Sequence, residues 1–175
     1  QPLLMMLVFA FLFGRTVGIK PEGISYPLFA YAGLVMWTFF SSAVNAAGNS
    51  LVNSASLITK VYFPRMLVPA AAVGATLVDF AVSCVPLAIL MIVWKVPVTW
   101  NLLLVPLFIV LVVVLAFGIG MWMAALNVKY RDIKLALPFL IQLWFFASPI
   151  IYPLSMIKGK LGWVLALNPM AGIIE

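Results

Sequence analysis

Long apolar segments, interrupted only briefly by polar residues, are the feature that most restricts what this chain can fold into. Several runs reach the roughly 20 residues that an α-helix needs to cross about 30 Å of hydrocarbon. Charged residues make up only 8% of the 175 residues, against about 25% in an ordinary soluble domain. The short alternating segments of membrane β-strands are absent from the sequence. The sequence therefore predicts an all-α, polytopic transmembrane helical bundle.

Turn and charge signals divide the apolar sequence into about five predicted spans. They cover residues 2–14, 28–47, 66–94, 102–126 and 135–152. Pro86, inside the third span, is expected to kink it. Residues 153–175 contain only short apolar pieces, which we expect to lie in or dip into one membrane face. We expect one transmembrane domain over residues 1–175, truncated at both ends, because both ends run into apolar sequence.

The charged residues exclude several functions. The net charge of +6 results from ten basic and four acidic residues. The basic residues lie singly or in small groups between apolar runs, a pattern typical of loop anchors near anionic lipid head groups. No basic patch is interleaved with aromatic residues, so we expect no nucleic acid partner. The sequence has no histidine, no close carboxylate pair and no phosphate-binding GxxxxGK loop, so we expect no catalytic site, metal or cofactor in this chain. The predicted loops on the two sides carry five cations each, which leaves the orientation open.

The stretch SLITKVYFPR, residues 56–65, is a compact amphipathic segment between the second and third spans. A helix is predicted to start near Ser50, with Asn49 or Ser50 as its cap, and to end before Pro64. Four residues then share one face of that helix: Leu51, Ala55, Ile58 and Tyr62. This face either dips into the lipid head groups or docks against a soluble partner. Periodicity alone does not separate the two interpretations.

Five motifs, in order along almost the whole chain, resemble one family. They are LITKVYFPR at 57–65, LVDF at 77–80, LNVKYRDI at 126–133, LPFLIQLWFFASPIIYP at 137–153 and LNPM at 167–170. Together they resemble the membrane subunit of ABC-2 type transporters that export polysaccharides such as O-antigen, teichoic acid or capsule. The resemblance implies a multi-pass protein of the bacterial inner membrane, with short periplasmic gate helices and a sixth span beyond the end of this chain.

The resemblance also implies partners and roles. The segment between spans two and three is expected to be a cytoplasmic coupling helix that seats in a separate ATP-binding subunit, which would hold ATP and Mg. That role falls on Leu57, Ile58, Lys60, Val61, Tyr62, Phe63 and Arg65. A second cytoplasmic loop contains Lys129, Tyr130, Arg131 and Asp132. Because a single fragment of five spans leaves no obvious lumen of its own, two copies of the chain are expected to pair as a homodimer with two ATPase subunits.

Residues inside the spans provide further candidates. Asp79 is the only acidic residue well inside a predicted span, so it either makes an ion pair or faces a pore, or is tied to a nearby cation or to backbone. Aromatic rings can form a wall on which the C–H faces of sugars stack. The candidates for channel lining are Phe9, Phe13, Trp144, Phe145 and Phe146, and roles in packing or against lipid stay open for them. The resemblance implies that spans one and five line the channel.

The function expected from these features is export of a lipid-linked polysaccharide, driven by the separate ATPase subunit. An ABC-2 exporter of a drug or a small lipid is the nearest alternative. An ion-coupled secondary transporter would instead show inverted repeats and ionisable residues near the membrane midplane, and only Asp79 fits that description. A membrane enzyme would show paired carboxylates or a metal site at one membrane face.

Overall fold

A computed structural model describes residues 26–96, 104–130 and 132–148, together with the isolated residues Leu4, Leu7 and Phe11. The continuous ranges form five helices and contain no strand. The helices are α1 (Tyr26–Asn53), α2 (Ala55–Lys60), α3 (Leu67–Val93), α4 (Val105–Lys129) and α5 (Ile133–Phe146). Within the described ranges, α1, α3 and α4 are long and apolar enough to cross a membrane. The prediction of an all-α membrane bundle is confirmed.

Helix α1 is the centre of the described bundle. It packs against α3 and α4 along much of its length and also contacts α5 and α2. Most of the buried apolar side chains belong to it, including Tyr31, Phe40 and Val44. The Tyr31 hydroxyl donates a hydrogen bond of 3.0 Å to the carbonyl oxygen of Ser83 on α3. By contrast, α3 leaves most of its surface exposed, with mean hydropathy 2.3 against 1.4 for α1.

Small residues let α4 and α5 approach the backbone of α1 closely. A Cβ atom added at Gly120 of α4 would lie 2.6 Å from the Cβ of Ala47 and 3.9 Å from the carbonyl oxygen of Ala43. A Cβ atom added at Gly48 of α1 would lie 2.7 Å from a methyl group of Leu137 on α5. Helix association in membranes depends on such close packing, because lipid tails are as apolar as the side chains they would exchange with.

Helix α3 ends in a hydrogen-bonded turn. Lys95 adopts φ 51°, in the left-handed region. Its N–H donates to the carbonyl of Ile92, and the N–H of Val96 donates to the carbonyl of Met91. This pair of bonds satisfies carbonyls at the helix end that would otherwise lack partners. Lys95 therefore marks a sharp end of the span, opposite the end at which α2 lies.

The predicted spans agree with the helices to different degrees. The third span is confirmed to within one residue at each end, and the fourth lies about three residues later than predicted, at Val105–Lys129. The end predicted for the second span is wrong, because α1 continues six residues beyond residue 47 to Asn53. Asn49 donates its side-chain N–H to the carbonyl of Asn45, and Ser50 donates its hydroxyl to that of Ala47. These polar residues bond back to their own helix and do not end it.

The fifth predicted span differs most. Helix α5 has 14 residues, Ile133–Phe146, and rises about 21 Å at 1.5 Å per residue, which is less than the hydrocarbon thickness. The N–H of Ser148 closes the last turn by donating to the carbonyl of Phe145, and Pro149 disfavours helical geometry at the residue before it. Residues 149–152 of this span lie outside the described residues, as do the gate-helix segment 153–175 and the first span apart from three residues.

Candidate functional site at one end of the bundle

The segment between α1 and α3 is a short exposed helix followed by extended backbone. Helix α2 covers Ala55–Lys60 and has no buried residue. The N–H of Ser54 donates to the carbonyl of Ser50 in α1, and the N–H of Ile58 donates to the carbonyl of Ser54. The predicted cap at Asn49 or Ser50 is therefore wrong, since both residues lie inside α1 and the residue before α2 is Ser54. Val61, with φ −126° and ψ 131°, ends the helix.

Two clefts lie on either side of α2. The larger, called here the charged cleft, has a volume of about 830 Å³ and lies between the end of α1, α2, the end of α4 and the start of α5. It is lined by Leu51, Val52, Ala55, Ile58, Thr59, Arg65, Ala125, Asn127, Val128 and Lys134. The smaller, called the uncharged cleft, has a volume of about 580 Å³ between α1, α2 and the start of α3. Its lining includes Leu57 and Phe63, and none of the described lining residues is charged.

The residues predicted to couple to an ATPase point in three directions. Ile58 and Arg65 line the charged cleft, whereas Leu57 and Phe63 line the uncharged cleft. The remaining three, Lys60, Val61 and Tyr62, line neither cleft and are exposed; they are called here the exposed tip. The predicted stripe is correct for Leu51, Ala55 and Ile58, which share the charged cleft. It is wrong for Tyr62, because the helix ends before that residue.

The loop after α4 lies at the same end of the bundle. The ammonium group of Lys129 lies 5.1 Å from the centre of the Tyr130 ring. Tyr130 and Asp132 are exposed, whereas Arg131 lies outside the described residues. Among the described residues, this loop and the segment around α2 therefore present the cations Lys60, Arg65, Lys129 and Lys134 on one side of the membrane helices.

Asn127 is a structural residue of this site that sequence reasoning missed. It is buried near the end of α4, and its side-chain N–H groups donate to the carbonyl of Gly48 at 3.0 Å and to the side-chain oxygen of Asn49 at 3.1 Å. These bonds hold the end of α4 against α1 and form part of the floor of the charged cleft. The only sequence signal was an amide within the motif LNVKYRDI, which is equally typical of a loop.

Part of the surface of α1 is polar although the helix spans the membrane. Thr38, Ser41, Ser42, Asn45 and Asn49 are exposed or half-buried along its second half, while Phe40, Ala43, Val44 and Ala47 between them are buried. Ser41 donates to the carbonyl of Thr38, and Asn45 donates to that of Ser41. These five residues are called here the polar face of α1.

Asp79 lies beside this polar face. It is exposed on α3 and shares a small cavity of about 40 Å³ with hydroxyl-bearing side chains of both helices. These side chains are Thr38, Ser42, Thr76 and Ser83, and none of the described residues that line the cavity is basic. Of the two interpretations left open by the sequence, the arrangement favours a contact with water or polar groups over an ion pair within the described part of the chain.

The aromatic candidates on α5 mostly pack against α1. The ring centre of Trp144 lies 5.2 Å from that of Phe40, and the ring centre of Phe145 lies 5.5 Å from that of Trp37. Phe146 is exposed, so of these three it is the most available to line a channel. Phe9 and Phe13 lie outside the described residues.

These features define a helical membrane protein whose central span carries a polar face and whose connecting segments are exposed at one end. Over residues 1–175 the sequence matches the family of ABC-2 type transporters, and the chain belongs to that family. It is 33% identical over 176 residues to an O-antigen export system permease protein of Myxococcus xanthus, covering 99% of this chain and 67% of that protein. The resemblance found in the sequence motifs is confirmed.

Two further relatives have the same kind of name. An O-antigen export system permease protein of Klebsiella pneumoniae is 29% identical over 175 residues, which cover 99% of this chain and 67% of that protein. A polysialic acid transport protein of Escherichia coli is 26% identical over 187 residues, covering 100% of this chain and 68% of that protein. The match to this chain extends over about two thirds of each relative.

Proposed function

We propose that this chain belongs to the membrane-spanning subunit of an ABC exporter that moves a lipid-linked polysaccharide outward across the bacterial inner membrane. Two copies would pair, and each would dock one ATP-binding subunit that holds ATP and Mg. The exposed tip of the α2 segment is the observation that carries this proposal. The names of the relatives support the substrate class.

The position of the exposed tip suits a contact with a motor protein. Tyr62 is fully exposed, and Val61 and Leu57 are each about half exposed, so a large apolar and aromatic surface stands free at the end of three spans. Tyrosine is enriched among the residues that dominate protein–protein binding. Lys60 adds a positive charge beside it, which would favour an acidic rim on the partner.

Backbone hydrogen bonds connect the tip to the membrane helices. On one side, Ser54 bonds to Ser50 of α1. On the other, the N–H of Leu67, at the start of α3, bonds to the carbonyl of Pro64. A displacement of the tip would thus reach both spans, and α1 would pass it to the helices that pack around it. A rigid element between two packed helices can transmit motion in this way.

The polar face of α1 supports the proposal that the transported substrate is hydrophilic. Ser41 and Asn45 each donate one hydrogen bond to a carbonyl of α1, but in hydrocarbon their remaining donor and acceptor sites would lack partners, which is costly. In an aqueous path, the same groups would exchange hydrogen bonds with water and with sugar hydroxyls. We therefore assign the polar face, with Asp79 beside it, to the side of the helix pair that meets the path or the second copy.

The test uses the full-length protein and its ATP-binding subunit in proteoliposomes. Replacing Tyr62 with glutamate should weaken docking roughly 30-fold, as for loss of a binding hot spot of about 2 kcal/mol, and should abolish polysaccharide transport. Tyr62→Phe keeps the ring and should preserve activity. Tyr130→Glu makes the same change in the neighbouring loop and controls for added charge.

The competing functions give different results in the same vesicles. Transport driven by an ion gradient without ATP would support a secondary transporter. ATP-driven export of a drug or a small lipid, with no glycan transport, would support the nearest alternative. Unchanged transport and ATPase stimulation with Tyr62→Glu would remove the proposed role of the exposed tip.

A further inference from the structure

The charged cleft has the composition of a site for an anionic amphiphile. Its volume of about 830 Å³ is in the range of small-molecule sites. Two of its lining residues, Arg65 and Lys134, are cationic, and none of the described lining residues is acidic. Most of the others are apolar. A ligand that fills the cleft would therefore combine a negatively charged group with apolar parts.

The position of the cleft favours a lipid. Val52 and Val128 line it, and each is one residue from the end of a membrane span, at Asn53 and Lys129. Both valine side chains are exposed, and the end of a membrane span is where hydrocarbon is expected to give way to head groups. Arginine and lysine at this level attract anionic lipids. The exposed tip is further along the connecting segment and does not line the cleft.

The two cations come from different connections. Arg65 precedes α3, and Lys134 is in the first turn of α5. An anion held by both would bridge the α2 segment to the loop after α4. Arginine suits this role because its planar guanidinium group can give two hydrogen bonds to one phosphate. Asn127, whose donors are already used by Gly48 and Asn49, would shape the floor of the site and leave the phosphate to the cations.

We propose that the charged cleft binds the phosphate of an anionic phospholipid from the adjacent leaflet, with Arg65 and Lys134 as its ligands. The glycerol and the first methylene groups lie against Val52, Ile58 and Val128. The occupied site fixes the α2 segment relative to the start of α5. The proposal concerns binding alone and does not depend on the exported substrate.

Binding is measured on the full-length protein in detergent by native mass spectrometry, with phosphatidylglycerol added at increasing concentration and phosphatidylcholine as the neutral lipid. Arg65→Gln and Lys134→Gln should each weaken phosphatidylglycerol binding about fivefold, and the double variant about 25-fold, if each cation contributes independently near the membrane surface. Phosphatidylcholine binding should not change.

Two matched controls remove a cation at the same end of the bundle but outside the cleft: Lys60→Gln and Lys129→Gln. Each should change phosphatidylglycerol binding less than twofold, since neither residue lines the cleft and their effect is only diffuse attraction. Because all four residues are exposed, the variants should remain folded, which gel filtration verifies.

Three results would overturn the proposal. Equal losses in all four variants would show diffuse attraction to a basic surface. Competition by millimolar inorganic phosphate would show a site for a free anion. Displacement of the bound lipid by the purified ATP-binding subunit would show that the cleft belongs to a protein partner.

Discussion

At the scale of residues, how closely two helices pack depends on glycines, which have no Cβ atom to keep the backbones apart. Gly120 and Gly118 are two residues apart on α4, yet their surroundings differ completely. A Cβ at Gly120 would collide with Ala47, whereas one at Gly118 would meet no atom of the described residues within 4 Å. The same substitution at the two glycines therefore separates two effects. At Gly120 it blocks the close approach of α4 to α1, and at Gly118 it only changes a residue within a helix.

Replacing Gly120 with valine should destabilise the protein by about 1–3 kcal/mol, the usual cost of overpacking. Gly118→Val should change stability by less than about 0.5 kcal/mol, as for an open surface position. Thermal unfolding of the two variants in the same detergent, followed by tryptophan fluorescence, measures the difference. A similar melting temperature for both would contradict the close packing of α4 against α1.

Asn127 shows why the roles of residues at the α2 end of the bundle were hard to predict from the sequence. An asparagine near the end of an apolar run is typical of a loop, and its partners, Gly48 and Asn49, lie about 80 positions earlier. No periodicity connects such positions. The contact exists because the small residues of α1 and α4 bring their backbones together, and the amide then supplies hydrogen bonds that lipid cannot.

At the scale of elements, α1 and α2 are connected by a hydrogen-bonded turn at Ser54, whereas the sequence predicted the span to end at residue 47 and the next helix to start near Ser50. Ser54 contributes its backbone N–H to this turn, while its side chain makes no capping hydrogen bond. The backbone and side chain of this one residue can therefore be tested separately. If the exposed tip transmits motion to α1, the N–H of Ser54 should matter and its hydroxyl should not.

Ser54→Pro removes the N–H that bonds to Ser50 and disfavours helical geometry at Asn53. We expect ATPase stimulation and transport in proteoliposomes to fall at least about tenfold, equivalent to about 1.4 kcal/mol of coupling, while the ATP-binding subunit still co-purifies. Ser54→Ala keeps the N–H and should behave as the unchanged protein. Loss of co-purification with Ser54→Pro would instead assign the turn to docking.

How well each helix was predicted from the sequence depends on which residues determine its ends. Helix α3 was predicted to within one residue because its apolar run has proline and arginine on one side and lysine on the other. The end of α1 was missed because Asn49 and Ser50 bond to carbonyls of their own helix, which composition does not reveal. The stripe of Leu51, Ala55 and Ile58 follows from local periodicity. Its partners across the charged cleft depend on how distant helices pack, and no local pattern contains that information.

At the scale of the whole molecule, the described helices divide their exposed surface between apolar and polar regions. Helix α3 exposes Val78, Val82 and Ile89, which suit lipid. The nearby surface of α1 exposes hydroxyl and amide groups. Two kinds of surface on one bundle imply two surroundings within the membrane, hydrocarbon on one side and water or a second subunit on the other.

Cysteine substitution tests this division, in a background where the single native cysteine, Cys84, is replaced by serine. A cysteine at Ser42 should react with a membrane-impermeant thiol reagent at least about tenfold faster than one at Val82, because thiolate forms readily only where water reaches the sulfur. Rates are compared by mass shift in the full-length protein in vesicles. Equal, slow reaction at both positions in the transporting complex would show that water does not reach the polar face and would exclude an aqueous path along it.

The same background tests the sidedness of the bundle. A cysteine at Lys60 should be labelled only from the cytoplasmic side, and one at Lys95, beyond the other end of α3, only from outside, because a span of 27 residues reaches about 40 Å. Whole cells and inverted vesicles give the two accessibilities. Labelling of Lys60→Cys from outside would reverse the proposed topology and remove the ATPase from that end.

The central position of α1 has a consequence for how the protein is made. This helix precedes α3 and α4 in the chain, yet it is the least hydrophobic of the three spans, with mean hydropathy 1.4 against 2.3 and 2.7. Partition of a nascent helix from the translocon into lipid depends on its hydrophobicity, and Tyr31 and the side-chain oxygen of Asn49 find hydrogen-bond partners only on α3 and α4. Helix α1 should therefore remain at the insertion machinery until α3 and α4 emerge, and the three helices should then enter the lipid together.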